Sequence, residues 1–172
     1  MKLLLDLYCG LGGWAEGFIL EGWYVIGVDI GDFSKSYPGK FIRADLTIWK
    51  NWRGIPADLV ISSAPCDEFA RWSMPWTRAR KPPKPSLKLW NIGHEIASGL
   101  GVPLIRENVR GAQPFVGSAV THYGPFYLWD NVPPLIPPRF TGKKKESFGS
   151  KQKAERAKIP VDLARWVARS FS

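Results

Sequence analysis

The sequence predicts an α/β fold: a mostly parallel sheet with helices on both faces. Three observations predict it. Short apolar runs alternate with helical stretches through the first half of the chain, a glycine-rich turn follows the first run, and an acidic residue closes the second. Strands alternating with helices build βαβ units, whose right-handed crossovers bring the strand ends, and with them any site, to one edge of the sheet.

The elements follow in order. Lys2–Tyr8 is a leucine-rich run that enters a glycine turn, after which Trp14–Glu21 reads as a helix. Trp23–Asp29 and Ala57–Ser63 are the next buried strands. Leu87–Leu100 places Leu89, Ile92, Ile96 and Leu100 at helical spacing, and Val102–Glu107 is a fourth strand. Val120–Trp129 supplies strands that complete the sheet. Pro160 suits the first position of a closing helix with Leu163, Trp166, Val167 and Phe171 on its inner face. Two segments break the rhythm. Arg71–Lys88 interleaves Arg71, Arg78, Arg80, Lys81, Lys84 and Lys88 with two tryptophans and four prolines, and reads as an exposed loop. Pro133–Lys158, with Lys143, Lys144 and Lys145, reads as a basic surface excursion.

A chain of 172 residues, 45% of them hydrophobic, fits a single globular domain over 1–172. No apolar run reaches the roughly 18 residues of a membrane span. Asp6 and the glycines interrupt the opening stretch too early for a signal peptide, so a cytoplasmic protein is expected. Cys9, Cys66, His94 and His122, the only cysteines and histidines, form neither a disulfide framework nor a metal-ligand spacing. The net charge of +9 points to a polyanionic partner, nucleic acid first.

Three places carry candidate chemistry. Asp6–Gly13 (DLYCGLGG) runs from a strand through glycines into a helix, where backbone can approach a ligand closely. Asp29, about 20 positions on, could bind ribose hydroxyls. These features read equally as a tight turn with a capping aspartate. Cys66, in Ala64–Phe69 (APCDEF), lies at the carboxyl edge of the sheet, and a stabilised thiolate there is a good carbon nucleophile. An isolated cysteine is more often buried and inert. Glu107 ends the fourth strand at the same edge, where a glutamate is also compatible with a surface residue or a helix cap.

Together these segments resemble the DNA cytosine-5 methyltransferases. DLYCGLGG is similar to that family's cofactor loop DLFxGxGG, Val28-Asp29-Ile30 to its second cofactor segment, and Ala44-Asp45-Leu46 to its third. APCDEF resembles the catalytic PCQxFS, Glu107-Asn108-Val109 is identical to ENV, and Ile159–Ala164 resembles the terminal segment that returns to the cofactor. The resemblance implies a Rossmann-like fold and S-adenosyl-L-methionine as cofactor. It implies that Tyr8, Gly10, Leu11, Gly12, Gly13 and Pro65 line the cofactor, with Asp29 on the ribose, Ile30 on the adenine, and Asp45 and Leu46 at the adenine edge. Cys66 would be the nucleophile and Glu107 the acid that assists it. Arg71, Arg78, Arg80 and Lys143–Lys145 would contact nucleic acid, and no metal would be needed.

Departures from the pattern keep other readings open. Asp67 stands where the family has glutamine, Ala70 where it has serine, and QxRxR has no counterpart. Some fifty residues separate ENV from the closing motif, too few for a separate target-recognition domain. DNA methylation with little sequence selectivity, or with a protein partner that supplies the target, is the leading expectation. The same chemistry on RNA or on a free cytosine nucleotide is an alternative. So is a nucleic-acid-binding protein that has lost catalysis.

Overall fold

The computed structural model describes residues 1–134, 139–140 and 150–172, with only the backbone of 150–153. Its sheet has seven strands: β1 (Leu3–Leu7), β2 (Tyr24–Asp29), β3 (Lys40–Arg43), β4 (Leu59–Ser62), β5 (Leu104–Asn108), β6 (Thr121–Tyr123) and β7 (Phe126–Asp130). They lie in the order β3-β2-β1-β4-β5-β7-β6, and β7 pairs antiparallel with both of its neighbours. The order reverses between β1 and β4, so their carboxyl ends splay the following loops apart and leave a crevice.

The strands at the centre are continuous apolar runs because both faces are covered. Leu4, Leu59, Ile61 and Ile105 meet α1 (Gly13–Leu20) and the final helix on one face. Leu5, Leu7, Val60 and Leu104 meet a helix over Lys88–Leu100 on the other. That helix carries Ile92 and Ile96 inward and stops at Gly101, which takes the left-handed conformation a helix end favours.

The segment read as an exposed loop is partly helical: α2 (Asp67–Ser73) and α3 (Pro75–Arg78) precede α4 (Lys88–Leu100). Prolines and arginines mask these turns in the sequence because only Phe69 of α2 is buried. The stretch between α3 and α4 is tied back to α2. Trp72 Nε1 donates to the Pro83 carbonyl at 3.0 Å, and the Ser86 amide to Glu68 Oε2 at 2.5 Å. A short α5 (Gln113–Val116) follows β5, and α6 (Ser150–Ala157) occupies the end of the expected excursion. The closing helix α7 (Val161–Ser170) starts one residue after Pro160, which caps it. Its buried face is Leu163, Ala164, Val167 and Ala168, with Trp166 and Phe171 only partly covered at the margin. Lys143, Lys144 and Lys145 lie outside the described residues. Among the described residues no helix is long and apolar enough to cross a membrane.

Candidate active site

β1 delivers the glycine turn to the crevice. Tyr8 leaves the strand with φ 58, and its hydroxyl donates to the Leu89 carbonyl of α4 at 3.0 Å. Gly12 has φ 79, and a Cβ there would lie 2.5 Å from Pro38 Cδ. At Gly13 a Cβ would lie 2.5 Å from the Ile159 amide nitrogen, so the closing segment abuts the glycine turn from behind. Only glycine allows both approaches.

The two expected cofactor carboxylates face this turn. Asp29, at the end of β2, accepts from the Gly10 amide at 3.1 Å and the Gly31 amide at 2.9 Å, which fastens the turn to β2. Asp45 accepts from the Thr47 amide at 2.9 Å and its hydroxyl at 2.7 Å, both on Oδ1. Those bonds, with Lys88 nearby, hold the Asp45 carboxyl below the usual carboxylate range. Burial pushes the Tyr8 phenol up, and Asp45 and Asp29 push it further, because both carboxylates look onto the same ring. Ile30, 66% exposed, presents an apolar face beside Asp29. Leu46 is buried at the end of a cleft of about 280 Å³ between Thr47–Lys50 and α4. A turn with room for a ligand at Gly10, where a Cβ would meet nothing within 4 Å, flanked by two carboxylates and an isoleucine, suits a nucleoside cofactor.

β4 and β5 bring the second group together. Cys66 is half-buried and caps α2, which is anchored by Phe69 against Trp90 and Phe115, each ring pair 6.2 Å apart. Pro65 is exposed at the same turn. Asn108 Nδ2 donates to the Ala64 carbonyl at 2.9 Å, pinning that turn to the end of β5. Glu107 stands one residue earlier on β5. Burial pushes its carboxyl up to about 7, against the pull of a hydrogen bond from Ser63. Asn108, Ser63 and Trp14, whose Nε1 donates to Ser63 Oγ at 3.1 Å, were not singled out as site residues from the sequence. Only the Glu107-Asn108-Val109 motif could have flagged one of them.

Arg71, Arg78 and Arg80 are exposed around α2 and α3, with Trp76 68% exposed among them. Cys9 is buried in the core, where burial pushes its thiol up, far from nucleophilic use. Among the described residues no group of three or more His, Cys, Asp or Glu could hold a metal ion.

Comparison with solved structures places this architecture. The Entamoeba histolytica methyltransferase EhMeth matches with a TM-score of 0.50 at 16% identity, over 66% of this chain and 40% of its own. The chain has the Rossmann-like fold of S-adenosylmethionine-dependent methyltransferases. An E. coli prophage protein described as a DNA modification methyltransferase follows at TM-score 0.48 and 20% identity, covering 65% of this chain and 33% of that one. The S. pombe Dnmt2 methyltransferase reaches 0.45 at 16% identity, over 65% and 36%. The chain thus spans 33–40% of the length of these methyltransferases. No protein-family model and no curated protein sequence matches the chain.

Proposed function

We propose that the chain transfers a methyl group from S-adenosyl-L-methionine to carbon 5 of cytosine in DNA, through a covalent bond from Cys66 to carbon 6. The supporting observation is the bond from Asn108 to the Ala64 carbonyl, which holds the Cys66 turn beside Glu107 at the sheet's carboxyl edge. The glycine turn, Asp29, Asp45 and Ile30 flank the same crevice and fit the cofactor, which when bound supplies an electrophilic methyl group.

Carbon 5 of cytosine is too weak a nucleophile to take that methyl directly. The Cys66 thiolate adds to carbon 6, and the electron pair of the 5,6 double bond moves onto carbon 5 and through carbon 4 to N3. Glu107, with a carboxyl pushed up to about 7, retains a proton in many molecules at neutral pH and can give it to N3 as the ring gains charge. Carbon 5, now enamine-like, would take the methyl and release S-adenosylhomocysteine, while N3 returns its proton to the Glu107 carboxylate. Loss of the carbon 5 proton then expels Cys66 and restores the aromatic ring. A cytosine in a duplex reaches such a crevice only when flipped out of the stack. Arg71, Arg78, Arg80 and Lys143–Lys145 supply phosphate contacts, and a protein partner supplies any longer target sequence.

A labelled-methyl assay on duplex DNA, single-stranded DNA, RNA and free nucleotides tests the substrate, with mass analysis of the product base. DNA containing 5-fluorocytosine is expected to trap a covalent adduct only when cofactor is present, because fluorine cannot leave as a proton does. Cys66→Ser is expected to abolish both turnover and adduct. Glu107→Gln should slow transfer about 10²–10⁴-fold and erase a fall in kcat above pH 7. Full activity in Cys66→Ser overturns the mechanism. DNA binding without any transfer by the wild-type protein favours the non-catalytic alternative.

A further inference from the structure

Ser63 opposes the upward push of burial on the Glu107 carboxyl, and its hydroxyl is itself held from behind by Trp14. Ser62 pairs with Arg106 across the parallel β4–β5 ladder, so Ser63, the first residue past β4, comes beside Glu107, which is still in β5 opposite Leu128 of β7. Ile61 and Ile105, two residues before each, both face α1, so by the alternation of strand side chains Ser63 and Glu107 face it too. Trp14, in the first turn of α1 just after the glycine turn, reaches across that face with its indole.

An indole N–H can only donate, so Ser63 Oγ is the acceptor in the 3.1 Å contact with Trp14. Its own proton is then directed away from Trp14, and the Glu107 carboxyl is there to take it. The neighbouring cation does not serve this carboxyl. Arg106 spends its guanidinium on Asp130 at 2.7 and 2.8 Å and lies over the Trp90 ring at 4.4 Å. Among the described residues no ion pair includes Glu107.

We propose that Ser63 is the positioning residue of Glu107, and that Trp14 sets the direction in which its hydroxyl donates. The proposal deepens the cytosine methylation reading and rests on it for its consequence, though not for the contact itself. Ser63 stabilises the charged carboxylate while burial favours the neutral acid, so the pair keeps Glu107 able to hold and release a proton near neutral pH. Trp14 belongs to the helix that opens at the glycine turn, so the orientation of the acid depends on the element that carries that turn.

The test is a titration of the Glu107 side-chain carboxyl carbon by NMR in the full chain labelled with ¹³C-glutamate, assigned with Glu107→Gln. In Ser63→Ala the midpoint is expected to rise by roughly half a pH unit or more, because the bond favouring the charged form is gone. Ser63→Thr keeps the hydroxyl and is expected to restore the wild-type midpoint. Trp14→Phe keeps an aromatic ring without the N–H and is expected to move the midpoint the same way by less. Ser63→Cys, a weak donor of similar shape, replaces Ser63→Ala should that variant not fold. A wild-type midpoint in a folded Ser63→Ala or Ser63→Cys protein overturns the pairing, and one in Trp14→Phe overturns the role of Trp14. A raised midpoint with lower kcat and unchanged cofactor affinity supports the proposal. A raised midpoint in a protein that transfers no methyl group supports the pairing and overturns only the methylation reading.

Discussion

Asp29 shows how a single carboxylate serves both the fold and the proposed site. Its two oxygens accept from the amides of Gly10 and Gly31, so the charge that would meet a ribose also holds the glycine turn against β2. Asn at this position keeps one acceptor and nearly the same volume but removes the charge. Asp29→Asn is therefore expected to weaken S-adenosylmethionine binding by about 1.5–3 kcal/mol, one to two decades in Kd, and to lower the melting temperature, because one of the two amide bonds is lost. Titration calorimetry measures it, and an unchanged affinity in the folded variant would remove Asp29 from the cofactor site. The placing of Asp29, Glu107 and Cys66 at the sheet's carboxyl edge was legible in the sequence because Asp29 and Glu107 lie at the ends of apolar strands and Cys66 follows β4 closely. Ser63 and Asn108 gain their significance from contacts with residues 49 and 44 positions away, and no local spacing records those.

The α2–α3 element joins the proposed nucleophile to the exposed basic surface. Phe69 anchors α2 inward, and Trp72 and Glu68 hold the chain between α3 and α4 against it, so Arg71, Arg78 and Trp76 project from an ordered scaffold. Arginines on phosphate and tryptophan on a base leave different thermodynamic marks. Replacing Arg71, Arg78 and Arg80 by glutamine removes up to three phosphate contacts, and the slope of log K against log salt should flatten by as much as about 0.9 for each on duplex DNA. Trp76→Ala should cost about 1–3 kcal/mol of single-strand affinity with the slope unchanged, since stacking releases no counterions. Fluorescence anisotropy at several salt concentrations separates the two. Equal slopes in wild type and the triple variant would mean these arginines form only a solvated face. The sequence hid the helices of this element because an apolar period is absent where a single side chain is buried. Strand β3 was hidden for a related reason: it is a four-residue edge strand with a charged residue at each end and only partial burial between.

The whole molecule is organised around β1, which pairs with β2 on one side and β4 on the other and carries a buried carboxyl one residue before its end. The parallel sheet was readable because its central strands are apolar runs covered on both faces, yet Asp6 interrupts the first of them and is fully buried. Tyr37 donates to Asp6 Oδ2 at 2.9 Å, and its ring packs against the Gly12 and Gly27 backbone, so the pair wedges the glycine turn to β2. The other oxygen, Oδ1, has no hydrogen-bond partner. Burial pushes the Asp6 carboxyl up to about 7, with the bond from Tyr37 opposing it. An unfolded aspartate titrates near about 3.9, so between roughly pH 4 and 7 the folded chain holds a proton that the unfolded chain has released. Stability from this group is therefore complete below about pH 4 and declines as pH rises, by up to about 4 kcal/mol at about 1.36 kcal/mol per pH unit, then levels off above 7. Glu107, raised in the same direction, adds to the same slope. Asp6→Asn keeps an acceptor for Tyr37 and cannot ionise, so between pH 5 and 8 the variant should lose only the share of stability that Glu107 contributes. Urea unfolding of both proteins at half-unit steps from pH 4.5 to 8 gives the difference directly. The two curves are expected to diverge steadily up to pH 7, with the variant the more stable, and to run parallel beyond it. Curves parallel throughout would show that Asp6 is ionised in the folded chain at all these pH values, with its charge compensated inside the sheet.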